Sequence, residues 1–456
     1  MKWTLTVLFA LTFSTGFSFT PPDSTSNILE KGTALYLISE GKRFYNEGQY
    51  RLSLVKFREA LSKNKGNAEA TYWLGECHLA LGNYEKAMTY VEEALNKDEE
   101  VYIEARHVLA TCQHRMGLLD KAITNYGLAL GVLPKNTAKL LKVEFHKAEA
   151  ERAIEMMKSP VNVTITCLPS EINTAFEETA PVLAPDGKTF YFVSRRADNK
   201  GGGISPGDQR YFEDIYVSFW NEDDKKWSKA TNTAEIINRV NTEGMDAISH
   251  ISKDGKTMYM TINTMVVEKP KPKTKHSDIF YCRLNRKGTW NSPKAIGKPI
   301  NTFMFEAAVS FTDDESTAYF ISERKGGFGR ADIWVSYKQG NGWSSPENLG
   351  DSINTDGNET TVFVSGDGEQ LFFSSTGHEG MGGYDVYMAT KNGDGWNAPV
   401  NLGYPINTVS DETHFVYYPE MKKAYYSTFS SAENGGNGAR DLFELDMTNY
   451  VWAEKE

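Results

Sequence analysis

The chain has 456 residues, of which 40% are hydrophobic and 12% aromatic, and its formal net charge is −11. This length and composition predict a folded protein of two or three domains. The acidic balance argues against binding to nucleic acid or to an anionic membrane surface, since no basic stripe is present to neutralise phosphate groups.

The N-terminus has the pattern of a secretory signal peptide over residues 1–18. Lys2 supplies the positive start, residues 5–13 form an apolar core, and Gly16 and Ser18 are small residues near a cleavage point. The apolar run is too short to span a bilayer, and no cysteine stands near the cleavage point for a lipid anchor. We therefore expect a soluble periplasmic protein with a flexible leader at residues 19–32, an uncleaved anchor being the alternative.

Residues 33–157 have a helical pattern that repeats three times. Gly48, Gly82 and Gly117 align at periods of 34 and 35 residues, with small and aromatic residues at matching places after each glycine. The segment resembles the tetratricopeptide repeat, with residues 137–157 as a capping helix. The resemblance implies a concave surface that binds a peptide or a partner protein and performs no chemistry; a structural spacer is the alternative.

Residues 158–456 alternate apolar and polar positions and contain five units of four short strands. Each unit has a tryptophan at the start of its fourth strand: Trp227, Trp290, Trp343, Trp396 and Trp452. This pattern predicts a five-bladed β-propeller, and a sixth blade would need a unit that the sequence does not show. The last unit lacks most of its outer strand, so we expect residues 161–165 to pair with it and close the ring. The fold class is thus α + β, with a helical solenoid before an all-β propeller.

The propeller units resemble the WD-like repeat of the TolB type. Exported tetratricopeptide repeats followed by such a propeller resemble envelope proteins of the Bacteroidetes group, including periplasmic proteins of type IX secretion and gliding. The resemblance implies other envelope proteins as partners. Its relatives often carry an OmpA-like domain that binds peptidoglycan, and this sequence contains no such domain, which argues against direct binding to peptidoglycan.

Two sets of acidic residues recur in the propeller units. One set opens the first strands: Glu178, Glu243, Glu306, Glu359 and Glu412. We expect it to ring one mouth of the central channel, held by hydrogen bonds to neighbouring blades, with bound Ca²⁺ as the alternative. The other set opens the third strands: Asp214, Asp278, Asp332, Asp385 and Asp441. We expect a structural role for these aspartates, which can accept hydrogen bonds from turn amides.

The sequence contains no catalytic or metal-binding motif, and no cofactor is predicted. An insertion in the second blade carries four lysines that we predict to contact a partner: Lys269, Lys271, Lys273 and Lys275. We therefore expect a non-enzymatic periplasmic scaffold in a secretion- or gliding-associated complex. The alternative is a protein that binds a glycan or peptide at the propeller mouth, which a cluster of Trp or Tyr side chains there would favour.

Overall fold

A computed structural model describes residues 23–205, 208–263, 277–429, 435–436 and 440–452. The predicted signal peptide and the lysines at 269, 271, 273 and 275 lie outside the described residues. The described residues form a helical domain followed by a five-bladed β-propeller, as the sequence predicts.

The helical domain consists of three helix pairs and a C-terminal cap. Its elements are α1 (Asp23–Asn46), α2 (Tyr50–Lys63), α3 (Ala68–Ala80), α4 (Tyr84–Lys97), α5 (Ala105–Arg115), α6 (Leu119–Val132), α7 (Lys135–Leu140) and α8 (Val143–Met157). Helix α1 begins ten residues before the predicted domain boundary at Thr33, so most of the predicted flexible leader is helical. The prediction was wrong because it extended the Pro-rich segment past Pro22, although residues 23–32 contain no proline.

Small residues allow the two helices of a pair to approach closely. A Cβ atom on Gly75 in α3 would lie 2.5 Å from Cγ2 of Val91 in α4, so no side chain fits there. The start of α3 is capped by Asn67, whose side chain accepts a hydrogen bond from the amide of Ala70 at 2.7 Å. These local features explain why the repeat pattern produces antiparallel helix pairs.

The propeller consists of five antiparallel sheets, and in blades 1 to 4 the strands follow one another in sequence order from the axis outward. Blade 1 has β2 (Glu178–Leu183), β3 (Thr189–Ser194), β4 (Asp214–Asn221) and β5 (Lys226–Trp227). Blade 2 has β6 (Met245–Ile251), β7 (Thr257–Asn263), β8 (Asp278–Arg283) and β9 (Lys294–Ala295). Blade 3 has β10 (Glu306–Phe311), β11 (Thr317–Ser322), β12 (Asp332–Gln339), β13 (Gly342–Trp343) and β14 (Glu347–Asn348). Blade 4 has β15 (Glu359–Val364), β16 (Gln370–Ser375), β17 (Asp385–Asn392), β18 (Gly395–Trp396) and β19 (Val400–Asn401). Blade 5 has β20 (Thr413–Tyr418), β21 (Lys423–Phe429) and β22 (Arg440–Asp446).

The ring is closed by a strand from the beginning of the propeller sequence. Strand β1 (Thr164–Cys167) is the outer strand of blade 5 and pairs antiparallel with β22, with Thr164 opposite Asp446. It overlaps the predicted segment 161–165 and begins three residues later. First and last segments of the propeller are therefore joined by main-chain hydrogen bonds.

The propeller core lies between adjacent blades. The first strands of neighbouring blades contact each other around the central axis, and the apolar residues of each sheet pack on the next sheet. Trp290 of blade 2, for example, donates its indole N–H to the hydroxyl of Tyr191 in blade 1 at 3.1 Å. The recurrent tryptophans are thus part of the packing between blades.

Candidate interaction site

The helical domain shares a hydrophobic core with the face of the propeller on which the first strands begin. The side chains of Ala110, Ala150 and Ala153 on α5 and α8 form a cluster with Met381 of the propeller. Met381 belongs to the loop between the second and third strands of blade 4, and it is fully buried. Because this core contains residues of both domains, the two domains are held together by apolar burial as well as by polar contacts.

Arginine and histidine side chains of the helical domain donate to main-chain carbonyls of the propeller around this core. His114 Nε2 lies 2.8 Å from the carbonyl oxygen of Met381, and Arg152 donates to that of Gly380 at 2.8 Å. Arg115 donates to the carbonyl oxygens of Val409 (3.2 Å) and Ser410 (3.1 Å). These donors fix the orientation of the helices on the propeller.

A buried carboxyl–imidazole pair lies on α8 beside this interface. Glu149 is 1% exposed, and its Oε2 lies 2.7 Å from Nδ1 of His146. Burial raises the pKa of Glu149 to about 8, against the smaller opposing effects of Arg115 and Arg152, and burial lowers the pKa of His146 to about 4. At neutral pH the pair is therefore uncharged, and the protonated carboxyl donates to the imidazole.

Replacing Glu149 with glutamine is expected to reduce the pH dependence of stability. In the folded chain Glu149 keeps its proton up to about pH 8, whereas its ordinary pKa is 4.5, so raising the pH through this window favours the unfolded state. For one proton that the folded chain keeps and the unfolded chain has lost, the free energy of unfolding falls by about 1.4 kcal/mol per pH unit. Glutamine does not titrate, so Glu149→Gln removes this pH dependence, and its side-chain amide still supplies a donor for His146. Thermal unfolding at pH 6, 7 and 8 should show a smaller loss of Tm in Glu149→Gln than in the wild type.

The matched control is Glu151→Gln, because Glu151 is a half-exposed residue of the same helix that is paired with Lys147. It should retain the wild-type pH dependence. Equal pH dependence in the wild type and Glu149→Gln would contradict a protonated Glu149.

The first two repeats leave an aromatic surface uncovered. Helices α1, α3 and α5 are the first helices of their pairs and lie side by side, which places them on the inner face of the solenoid. Tyr45, Tyr72, Trp73 and Tyr102 form a chain of ring contacts across this face, with centroids between 4.5 and 5.9 Å apart. We call this half of the inner face the open groove. Tyr45, Trp73 and Tyr102 are partly exposed, whereas Tyr72 is buried. Partly exposed aromatic rings are frequent in sites that bind proteins.

Polar contacts hold these rings in place. The indole N–H of Trp73 donates to the hydroxyl of Tyr102 at 2.9 Å, and that hydroxyl donates to Glu69 at 2.9 Å. Lys42 pairs with Glu69 and lies 5.5 Å from the ring centres of Trp73 and Tyr102. Tyr45 donates to Glu76 at 3.3 Å. Lys42 and Glu69 are each one third exposed, so the open groove presents aromatic rings and charges together.

A cleft of about 1230 Å³ separates the edge of the helical domain from blades 5 and 1. Tyr84, Phe176 and Phe429 are among its apolar walls, and Arg195 and Arg210 are on its rim. Both arginines pair with Glu177, and Arg195 also pairs with Asp208. The lining also includes Arg51, which donates to the carbonyl oxygen of Asp208 at 2.6 Å, and Arg115, which pairs with Asp411, so cationic side chains outnumber carboxylates in the described lining.

The central channel is a cavity of about 340 Å³ lined by the first strands of the blades. Met245, Phe305, Phe415 and His414 are among its lining residues, and none of the described lining residues is Trp or Tyr. Burial lowers the pKa of His414 to about 3, so the imidazole is neutral near pH 7. The aromatic cluster that would favour a glycan at the propeller mouth is therefore not found among the described lining residues.

The structure changes the interpretation of the opening glutamates. Glu178, Glu306, Glu359 and Glu412 are completely buried, and the channel lining does not include them. Each accepts hydrogen bonds from the threonine four residues earlier and from a hydroxyl at the end of the second strand. Glu412, for example, accepts from the Thr408 hydroxyl at 2.7 Å and from the Thr428 hydroxyl at 2.8 Å. These carboxyls hold the connections between blades through hydrogen bonds, so they do not form the predicted ring at the channel mouth.

The fifth member of the set was assigned to the wrong residue. Glu243 is exposed, and the equivalent position is occupied by Asp246. Asp246 is buried and accepts from the amide of Thr242 at 2.6 Å and from its hydroxyl at 3.0 Å. The sequence comparison looked for glutamate and therefore chose a residue three positions too early.

The recurrent aspartates lie at the starts of the third strands and are buried, apart from the half-buried Asp278. Asp332 accepts from the amides of Phe328 (2.8 Å) and Gly329 (3.1 Å). Asp385 accepts from the amide of Met381 at 2.9 Å, and Asp214 from that of Lys200 at 2.7 Å. In these three blades the aspartate therefore organises the loop before the third strand. Burial raises the pKa of Asp385 to about 7.

An asparagine in each unit makes paired main-chain contacts. Asn407 donates to the carbonyl oxygen of Val386 at 2.8 Å, and its own oxygen accepts from the Val386 amide at 2.7 Å. The other four pairs are Asn173 with Leu442, Asn241 with Ile215, Asn301 with Ile279 and Asn354 with Ile333. We call each of these contacts an asparagine clamp. Its signal was the invariant asparagine of the Ile-Asn-Thr segments, or of Val-Asn-Thr in blade 1.

In the described part of the chain, no group of three or more His, Cys, Asp or Glu side chains is arranged to hold a metal ion. Likewise, none of the described helices is both long and apolar enough to cross a membrane.

Comparison with known proteins identifies the helical domain. The tetratricopeptide-repeat family matches residues 45–102, well under half of the chain. No curated protein matches. The second tetratricopeptide domain of Spaghetti (RPAP3), solved with an HSP90 peptide, is 19% identical, with 24% of this chain and 99% of that chain covered and a TM-score of 0.23.

Two other solved structures resemble the same part of the chain. The secretion chaperone SycD of Yersinia enterocolitica, solved with a peptide of the translocator YopD, is 22% identical over 28% of this chain and 96% of that chain, with a TM-score of 0.25. The tetratricopeptide domain of Arabidopsis OM64 is 20% identical over 25% of this chain and 93% of that chain, with a TM-score of 0.23. The chain thus combines a tetratricopeptide-repeat domain with a five-bladed β-propeller, two folds that typically serve protein interaction.

Proposed function

We propose that this chain is a non-enzymatic scaffold of the periplasm that binds envelope proteins through the open groove. The acidic composition, the signal-peptide pattern and the resemblance to proteins of secretion and gliding complexes support this assignment. The two folds support it further, because both are typically interaction modules. In this proposal the propeller holds the third repeat, and the first two repeats bind a segment of a partner protein.

The observation that carries the proposal is the difference between the two halves of the inner face. At the third repeat, His114 and Arg115 are engaged by propeller loops. At the first two repeats, Lys42, Glu69 and Trp73 remain partly exposed and are pre-ordered by their mutual contacts. A pre-ordered surface loses little side-chain entropy on binding, which favours affinity.

Substituting Glu69 with arginine is expected to abolish capture of the partner. Glu69→Arg separates the pair with Lys42 and places two cations side by side in the open groove. The full-length chain is recovered from the periplasmic fraction of chemically crosslinked cells, and its bound proteins are quantified by mass spectrometry. We expect a discrete set of envelope proteins with the wild type and at least a tenfold lower recovery with Glu69→Arg.

The control variant is Glu93→Arg, which makes the same charge change on α4, where Glu93 is half-exposed and paired with Lys97. It should recover the wild-type set. Equal recovery with Glu69→Arg would contradict a role of the open groove. Glycan-array binding in the absence of any protein partner would favour a ligand site at the propeller mouth. Fractionation of the chain with the cytoplasm alone would contradict its export.

A further inference from the structure

The blade-4 loop shows how this propeller binds helices. The side chain of Met381 is buried in a hydrophobic cluster with residues of α5, α6 and α8, and the carbonyl oxygens of Gly380 and Met381 accept from Arg152 and His114. One apolar side chain at the loop tip and two main-chain acceptors therefore meet a helical surface of apolar residues with an arginine and a histidine as donors.

Blade 3 has the same loop in the same place. Asp332 accepts from the amides of Phe328 and Gly329, as Asp385 accepts from those of Met381 and Gly382. Each loop is also pressed against the beginning of the next blade. A Cβ on Gly329 would lie 2.0 Å from the carbonyl oxygen of Gly357, and one on Gly382 would lie 2.4 Å from that of Val409. Phe328 is therefore the counterpart of Met381.

Phe328 differs from Met381 in being uncovered. It is 51% exposed, whereas Met381 is completely buried. Lys142 of the helical domain forms an ion pair of 2.8 Å with Asp356, which is the blade-3 counterpart of Val409. Leu140, two residues before Lys142, is 82% exposed. We call Phe328 and Asp356 the blade-3 surface, which adjoins the interface that the helical domain already makes through Lys142.

We propose that the blade-3 surface is a second helix-docking position, occupied by an α-helix of a partner protein. The helix presents apolar side chains that pack against the ring of Phe328. It also carries an arginine, lysine or histidine that donates to the main-chain carbonyls of the loop, as Arg152 and His114 do on blade 4. Isolated exposed aromatic residues are common on protein surfaces. Phe328 differs from such residues because its counterpart in blade 4, Met381, is buried against helices of this chain.

This assignment is independent of the open groove, which lies on the first two repeats. A partner segment in the groove and a partner helix on blade 3 would bind at separate places. Two such contacts joined within one partner would raise its overall affinity through effective concentration.

The test places a photo-crosslinking amino acid, p-benzoylphenylalanine, at position 328 of the full-length chain in the cells that produce it. Position 421 serves as control, because Met421 is 44% exposed and lies in the turn between the first two strands of blade 5, on the opposite face of the propeller. The crosslinked peptides are sequenced. We expect an adduct from position 328 only, with the attachment point on the apolar face of a helix that has a basic residue within one turn.

Binding of the protein identified in this way is then measured with purified variants. Phe328→Asp should weaken binding at least tenfold, whereas Phe328→Met, which copies the blade-4 anchor, and Met421→Asp should stay within about threefold of the wild type. Three results would overturn the proposal: adducts from position 328 no more abundant than from 421, attachment to a second copy of this chain or to lipid, and attachment to a non-helical segment.

Discussion

Replacing Arg115 with glutamate is expected to release the helical domain from the propeller while both domains stay folded. Arg115 donates to two carbonyl oxygens of the propeller and pairs with Asp411 at 3.3 Å. Burial raises the pKa of Asp411, but Arg115 and Arg440 outweigh that effect and hold it below its ordinary value, so the carboxylate is charged. Arg115→Glu would set a second carboxylate against this part-buried one, which Arg440 would then be left to neutralise alone, and the two like charges would repel each other.

Small-angle X-ray scattering of the full-length chain measures this release directly. The radius of gyration should increase in Arg115→Glu, and thermal unfolding should separate into two transitions. The control is Arg106→Glu, which reverses a charge on the same helix where the partner is the exposed Glu99. It should leave the scattering unchanged. An unchanged radius of gyration in folded Arg115→Glu would show that the apolar core around Met381 is sufficient to hold the domains.

Replacing Asn173 with leucine is expected to open the seam of the propeller. Asn173 follows β1, and its side chain exchanges two hydrogen bonds of 2.9 Å with the main chain of Leu442 in β22. This asparagine clamp joins the first and last segments of the propeller. Leucine would leave the buried N–H of Leu442 unpaired, at about 1–3 kcal/mol, whereas the C=O of Leu442 keeps the amide of Leu168 as a donor at 3.0 Å. For a domain of this size we expect Tm to fall by roughly 2–10 °C.

Asn354→Leu is the matched comparison, because Asn354 makes the same pair of bonds to Ile333 in blade 3, away from the seam. Both variants should lose stability. Amide hydrogen exchange in β1 and β22 should accelerate only in Asn173→Leu. Acceleration there in both variants, or in neither, would contradict a special role of the Asn173 clamp in closing the ring.

The architecture was predictable because its signals are local and repeated. Each blade carries a turn signal, an aspartate and a tryptophan at fixed spacing, so one clear unit such as that around Trp396 identified the other four. Closure of the ring was predictable from the same comparison, since the segment before Cys167 matched the outer strand that the last blade lacked. Only the bounds differed, because alternation does not mark where a strand begins.

The roles of the acidic residues were harder to predict. A carboxyl at the start of an innermost strand can point into the channel or back into the connection between blades, and the sequence does not specify which. The preceding threonine was the missing signal, since Thr408 and its counterparts cap the carboxyl from four residues earlier. The same threonine would have identified Asp246 in place of Glu243.

The docking of the two domains had no signal in the sequence. It brings together His114, Met381 and Val409, which are far apart in the chain and belong to different kinds of repeat. Sequence periodicity indicates the contacts within a repeat. A contact between the helical repeats and the propeller blades does not recur at a fixed spacing, so periodicity does not reveal it. Consequently the sequence predicted a partner-binding surface on the helices but not which half of it remains open.

Amide hydrogen exchange of the full-length chain, alone and in the complex that co-purifies with it, tests the central claim most directly. If the propeller holds the third repeat and the open groove binds the partner, the complex should show new protection in α1 and α3. Exchange in the channel strands β2, β10 and β15 should stay unchanged. New protection of those channel strands, with α1 and α3 unaffected, would contradict the assignment and place the partner at the propeller mouth.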